Sequence, residues 1–401
     1  MRGSVVRRGA GYSVVVELDR DPVTGKRRQK WHSGFRTKRD AERALSEIVA
    51  SVHGGAYVEP TRQTLKDFTA DWLAAIEPTI RPATHYSYAR NLRLHVLPQL
   101  GPVQLRRIDA GMLNGLYAAL LADGKQSNGS GGLSPRSVRY VHTIVHRALR
   151  DAVRWGRIPR NSADAADPPR AAATVRPTMR TWTVEQLRAF LDYVADHKLS
   201  AAFVVLATTG MRRGECLGLR WSDVDLTAGR VSITQTVIAV NHDVRIGSPK
   251  TARGRRTVAL DPRTVAALRE HRQHQLAERL LVGAGFTDHD LVFCRPDGGP
   301  LHPERFSRTF TIEAARAGLP PIRCHDLRHT WATLALSAGE HPKVVQERLG
   351  HANVSITLDV YSHVTEGLHG DAASRVAGII FGAPSAPVSK PLATAGGDGH
   401  E

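Results

Sequence analysis

The chain of 401 residues is long enough for two or three domains, and its 41% hydrophobic content can supply a core to each. Lysine and arginine number 55 against 38 acidic residues, a net charge of +17, which favours a polyanionic partner, nucleic acid ahead of an anionic membrane surface. There is no run of eighteen apolar residues and no hydrophobic block at the start, and Cys216, Cys294 and Cys324 are too scattered for a disulfide framework or a Cys-x-x-Cys zinc site. The expectation is a cytoplasmic protein with no membrane partner.

Residues 1–60 read as three strands, "SVVRR", "YSVVVEL" and "KRRQKWH", followed by a helix "KRDAERALSEIVASV" with Thr37 as N-cap and Asp40 three residues on. The strands carry Arg7, Arg8, Lys26, Arg27, Arg28 and Lys30, a set that could lie in a DNA groove or simply guard a sheet edge. From about Thr64 to Trp155 the pattern is helical throughout, interrupted by a flexible "GKQSNGSGG". In its last helix Val138, Val141, Val145, Ala148, Leu149 and Ala152 share one face, and Arg139, Arg147, Arg150 and Arg154 the other, with Asp151 the only interleaved acid. Segment 61–170 has 16 basic and 8 acidic residues, the largest excess in the chain, so phosphate contact competes with a solvated face as the reading of that stripe.

Residues 158–180, rich in proline and small polar residues, read as a linker. Beyond it, Thr183 and Gln186 form a capping box for "TVEQLRAFLDYVAD"; strand-like "RVSITQTVIAV" and "RRTVALD" flank a basic turn "GSPKTARG", and helices resume at Pro262. The Ala-, Gly- and Pro-rich tail, 371–401, is expected to be partly disordered. The fold class is therefore mainly α with small β elements: a three-stranded sheet plus helix, a helical domain, and a mixed, mainly helical domain with a small sheet.

Chemistry concentrates in "CHDLRHTWATLALSAG", where His325, Arg328 and His329 head an apolar run. A His-x-x-x-His pair on a helix can bind zinc, but Asp326 stands where a metalloprotease has glutamate, and Arg328 sets a fixed positive charge beside the metal position. Elsewhere "ATTGMRRGECLGLRW" places Arg212 after a Thr-Gly turn, "SPKTARG" holds Lys250, and "LGHANVSITLDVYSHV" places His351 after Gly350 and Tyr361 ten residues later. In this order the segments, spanning 181–366, resemble the catalytic domain of the tyrosine recombinase (phage integrase) family; residues 62–155 are similar to its core-binding domain and 1–55 to its small arm-binding domain.

The resemblance implies an arm-type DNA-binding domain at 1–60, a core-binding domain at 61–157, the linker, and a catalytic domain at 181–370. It also implies a 3′-phosphotyrosine intermediate and no metal or other cofactor, consistent with the lack of a nucleotide phosphate loop. Charge developing on the non-bridging phosphate oxygens suits the guanidiniums of Arg212 and Arg328. The Tyr361 phenol, with an ordinary pKa near ~10, needs a base or a positive field, and His325 is the candidate. Lys250 would protonate the departing 5′ oxygen, His351 would donate to the phosphate, and Glu215 would support by hydrogen bonding. Arg213 adjoins Arg212, and the role falls to Arg212 because it directly follows Thr-Gly-Met. The implied partners are double-stranded DNA attachment sites, further copies of the chain in a tetramer on DNA, and directionality and host bending factors. A type IB topoisomerase shares the chemistry, and a DNA-binding protein with a vestigial site is the rival of another class.

Overall fold

Valine-rich strands build the first sheet. Strands β1 (Gly3–Arg8), β2 (Gly11–Leu18) and β3 (Arg28–Phe35) pair antiparallel in sequence order, with Val5 opposite Val14 and Val14 opposite His32. Val14 and Val16 turn inward onto Ala41, Leu45 and Ile48 of α1 (Lys38–His53), which starts at Thr37, whose hydroxyl bonds Asp40. The structure is a computed structural model that describes residues 3–18, 25–53, 61–125, 131–170, 180–249, 254–351 and 378–381. Residues 1–176 and 177–401 form two units, taken in turn.

The helical part of the first unit comprises α2 (Leu65–Ile76), α3 (Pro82–Asn91) running through a π-turn at Leu92–Val96 into α4 (Leu97–Leu100), α5 (Ala110–Asp123) and α6 (Pro135–Arg154). The apolar face read for α6 is the one that packs: Val138, Val141, Val145, Ala148, Leu149 and Ala152 are all buried, with Trp72, Tyr117 and Leu113 in the same core. Asp151 is buried too, and is shared: one carboxylate oxygen accepts from Trp72 Nε1 in the core at 2.9 Å, the other from Arg154 of the basic stripe at 3.1 Å. The expected linker starts later than its composition suggests. Ile158 and Ala163 join the helical core, His146 bonds Asp164, and Arg139 bonds the carbonyl of Pro169, which fastens residues 158–170 to the helices.

In the second unit the core gathers Trp182, Phe190, Phe203, Phe306 and Phe310 from the segment before α7 (Val184–Tyr193) and from α7, α8 (Ser200–Thr209) and α11 (Pro303–Arg316). The Thr183–Gln186 capping box opens α7. The strand-like run 230–240 is two strands in two sheets. β5 (Arg230–Ile233) lies between β4 (Val224–Asp225) and β8 (Arg256–Ala259), while β6 (Thr236–Val240) turns at Asn241 into a hairpin with β7 (Asp243–Gly247). The break comes where α9 (Arg213–Leu217) presses on the chain: a Cβ at Gly214 would meet Thr236 Oγ1 at 2.7 Å, and Gln235 bonds the carbonyl of Gly218. Three further helices are described in the unit, α10 (Pro262–Val282), α12 (Asp326–Ser337) and α13 (Pro342–Leu349). No described helix is long and apolar enough to cross a membrane. Of the tail beyond 370 only 378–381, a helical turn, is described.

Candidate active site

Helix α8 ends at Gly210 in the left-handed region, φ +64°, where a Cβ would meet Leu349 Cδ2 at 2.7 Å and Trp331 Cε3 at 2.8 Å. Glycine is required there on both counts. Two residues on, Arg212 caps the short helix α9: its backbone N and its Nη1 both donate to the carboxylate of Glu215, at 2.9 and 2.7 Å. Arg328, on the first turn of α12, is buried, and donates Nη1 to the carbonyl of Gly210 at 2.8 Å.

These arginines meet at the end of α13, which stops at Gly350 with φ +65°. Arg328 Nη2 donates to the carbonyl of Leu349 at 2.7 Å, and Arg212 Nη2 to that of Gly350 at 3.2 Å. A third guanidinium, Arg256 on β8, donates Nε to the carbonyl of Arg348 at 2.6 Å and Nη2 to Glu215 at 3.0 Å. Three arginines thus take three successive carbonyls at a helix C-terminus, where carbonyls lack helical partners and the dipole is negative. Among the described residues Glu215 is the single carboxylate bonded to them. Its burial favours the protonated form, but the hydrogen bond and charge of Arg256, then the bond from the Arg212 backbone, overcome this and hold it below the usual carboxylate range.

The positive field and burial act on the neighbours. Arg328 is pressed down to about 9 by burial, then by Arg212, and so stays protonated at neutral pH. His351, buried just beyond Gly350, is held down to about 3, first by desolvation and then by Arg328 and Arg212. His325 is pushed down to about 4 by desolvation, then by His329 and Arg328. His325 is nonetheless exposed, so solvent screening trims the charge contribution. Both histidines are neutral at pH 7 and able to accept or share a proton. His325 and His329 stand edge to face with ring centroids 5.2 Å apart, and among the described residues no group of three His, Cys, Asp or Glu side chains is set to hold a metal.

Of the residues singled out by sequence, Arg212, Arg328, Glu215 and His351 come together, with His325 at the head of α12 in the electrostatic reach of both arginines. Arg213 turns away to Ser307 on α11. Lys250 and Tyr361 lie outside the described residues. Arg256 was not legible: in "GRRTVALD" it looks like one more charge in a solvated turn, and only the pairing of β8 with β5 carries it inward. On α6, Arg147 stacks over Tyr88 at 5.5 Å and bonds its hydroxyl, Arg139 holds Pro169, Arg154 pairs with Asp151, and Arg150 is exposed. Arg27 is exposed ahead of β3, on which Arg28 is the first residue.

Residues 178–367 match the phage integrase family, 4–52 an arm DNA-binding domain, and 64–113 the N-terminal SAM-like domain of phage integrases. An integrase of Streptomyces ambofaciens is 31% identical over 352 residues, 85% of this chain and 86% of that one. Among solved structures, the Tn1549 transposon integrase in complex with a circular-intermediate DNA superposes with a TM-score of 0.64 at 19% identity, covering 78% of this chain and 99% of that one. A lambda integrase tetramer bound to a Holliday junction gives 0.54 at 18% identity, covering 88% and 93%. The fold is theirs, and the match over the segment that holds the arginine cluster, together with the Streptomyces relative, settles the family: the chain belongs to the tyrosine recombinases of the phage integrase family, enzymes that cut and rejoin DNA strands site-specifically.

Proposed function

We propose that the protein integrates and excises a mobile element by exchanging strands between double-stranded attachment sites, with Tyr361 as nucleophile and Arg212, Lys250, His325, Arg328 and His351 as the groups around the scissile phosphate. The observation that carries the reading is the arginine cluster at the end of α13. Among the described residues it sets three guanidiniums against the carboxylate of Glu215, an excess of positive charge suited to an anion. The Arg212 side chain is 39% exposed whereas Arg328 is buried behind it, which lets Arg212 meet a phosphate oxygen first.

In this reading the Tyr361 oxygen attacks phosphorus, the bond from phosphorus to the 5′ oxygen breaks, the phenol proton passes to neutral His325, and Lys250 protonates the 5′ oxygen. His351 donates to a non-bridging oxygen. The 5′ hydroxyl of a partner strand then attacks the phosphotyrosine and restores the phenol. One phosphoester replaces another at each step, so no nucleotide is consumed. The arm domain, with Arg27 and Arg28, would contact arm-type DNA, and Arg139, Arg147, Arg150 and Arg154 on α6 would contact core-site phosphates. A homotetramer on DNA in the cytoplasm, joined by directionality and bending factors, completes the scheme, with the lambda integrase tetramer as its precedent. A topoisomerase would need no arm domain, and residues 4–52 match one.

The test is covalent trapping on a nicked attachment-site duplex. The wild type should form a denaturant-resistant adduct, and Tyr361→Phe should bind the same duplex and form none. An adduct in the Phe variant overturns the assignment.

A further inference from the structure

Arg256 takes no part in the chemistry proposed above, yet it is more fully tied down than either arginine that does. Its side chain is 8% exposed, and its three nitrogens all donate: Nε to the carbonyl of Arg348 at 2.6 Å, Nη1 to that of Gly254 at 3.2 Å, and Nη2 to Glu215 Oε2 at 3.0 Å. A guanidinium spent in three directions on protein acceptors has little left for a phosphate. The attachment is also returned. Arg348, whose carbonyl Arg256 holds, packs over Trp331 at 5.1 Å and donates Nη2 to the carbonyl of Ala259 at the other end of β8. The last turn of α13 is therefore stitched to β8 at both ends of the strand, and β8 is fixed in turn by its pairing with β5.

The geometry points to Arg256 as a positioning residue for strand cleavage, one that sets where Arg212 and Arg328 stand relative to each other. It acts along two routes. Through Glu215, which shares its Oε2 between the Arg212 backbone and Arg256, it fixes the cap of α9. Through the Arg348 carbonyl it fixes the peptides that follow, whose Leu349 and Gly350 carbonyls are the acceptors of Arg328 and Arg212 and whose next residue is His351. Without Arg256, buried Glu215 keeps only Arg212 and draws that guanidinium toward itself, away from an incoming phosphate. This inference rests on the arginine cluster being the cleavage site.

The experiment compares Arg256→Met and Arg256→Lys with wild type in single-turnover cleavage of a nicked attachment-site duplex at saturating DNA, alongside duplex affinity and thermal melting. For the Met variant the cleavage constant should fall about a hundredfold, the scale of an ångström-sized misplacement, with affinity nearly unchanged because the buried Arg256 is spent on protein acceptors. Lysine, which keeps the charge but not the fork, should recover part of the rate. In a double-mutant cycle, Glu215→Gln with Arg256→Met should lose less than the product of the two single losses, since the two residues share one of the routes by which Arg256 acts.

A folded Arg256→Met that cleaves at the wild-type rate, losses that multiply in the cycle, or a defect lying wholly in affinity would each overturn the inference. If the Met variant does not fold, the Lys variant decides on the same readouts: slowed cleavage at unchanged affinity supports the role, and the wild-type rate refutes it. The underlying site reading fails separately, by an adduct that persists in Tyr361→Phe.

Discussion

Replacing Gly210 by alanine perturbs the point where α8, α12 and α13 converge, and its cost can be worked out in two parts. The first is conformational: an alanine held at φ +64° costs about 1 to 2 kcal/mol. The second is steric: the new methyl would sit 2.7 Å from Leu349 Cδ2 and 2.8 Å from Trp331 Cε3, and overpacking of this kind adds about 1 to 3 kcal/mol. Gly318, in the same unit, separates the two, because it has φ +69° with nothing within 4 Å of where a Cβ would stand. Gly318→Ala should therefore cost only the conformational part, and Gly210→Ala both, a total of about 2 to 5 kcal/mol. The assay is urea unfolding of the full chain with each variant, read at the same transition. Cleavage of a nicked duplex gives a second readout, since the Gly210 carbonyl accepts from Arg328 and only the Gly210 variant should slow it. Equal destabilisation by the two alanines, with cleavage unaffected in both, would refute the close packing argued for this corner.

Stability should fall on acidification through His351. Its folded value, about 3, lies below the ordinary 6.5, so its contribution is complete above pH 6.5 and is lost as pH falls toward 3, by up to about 1.4 kcal/mol per pH unit. His351→Gln should flatten that part of the stability-versus-pH curve, and an unchanged curve would count against the burial of a neutral ring. Replacing Arg212 or Arg328 by lysine should slow cleavage severely with affinity largely kept, because an ammonium cannot span two oxygens; near wild-type cleavage would make that guanidinium structural. On α6, Arg150→Gln with Arg154→Gln should flatten the salt dependence of DNA binding by roughly 0.9 in log–log slope per lost phosphate contact, measured as affinity over a salt series, and equal slopes would mean a solvated stripe. Chelator should leave wild-type cleavage untouched, and loss of cleavage restored by zinc would point to His325 and His329 as ligands.

Patterns that depend on a regular period were readable without coordinates. The apolar face of α6, the Thr183 and Thr37 caps and the three N-terminal strands follow from spacing and side-chain chemistry alone. Arg212, Arg328 and His351 were legible because their order along the chain matches a family, although what unites them physically, the end of α13, is a contact across 138 residues for Arg212 and Gly350. Two things were hidden for the same reason. Arg256 and Asp151 look like surface charges in sequence, and each is buried because a distant partner, Glu215 or Trp72, satisfies it. The split of 230–240 into two strands was hidden too, since nothing in the run marks the change of sheet, which falls where Gly214 of α9 comes close to Thr236. Residues 158–170 misled by composition: proline and small polar residues mark a break in helix, not a loss of anchorage.

That anchorage shortens the leash between the two units. With 158–170 docked on the helices, the covalent span left to bridge them runs through residues 171–179, and a chain of that length reaches at most about 35 Å when fully extended. If both units grip the duplex, as proposed, two halves on so short a tether would act as a chelating pair: when one lets go, the other would hold it at high effective concentration until it rebinds. Residence on a site would then be governed by simultaneous release of both halves, and lengthening the leash would erode that advantage without altering a single contact to DNA.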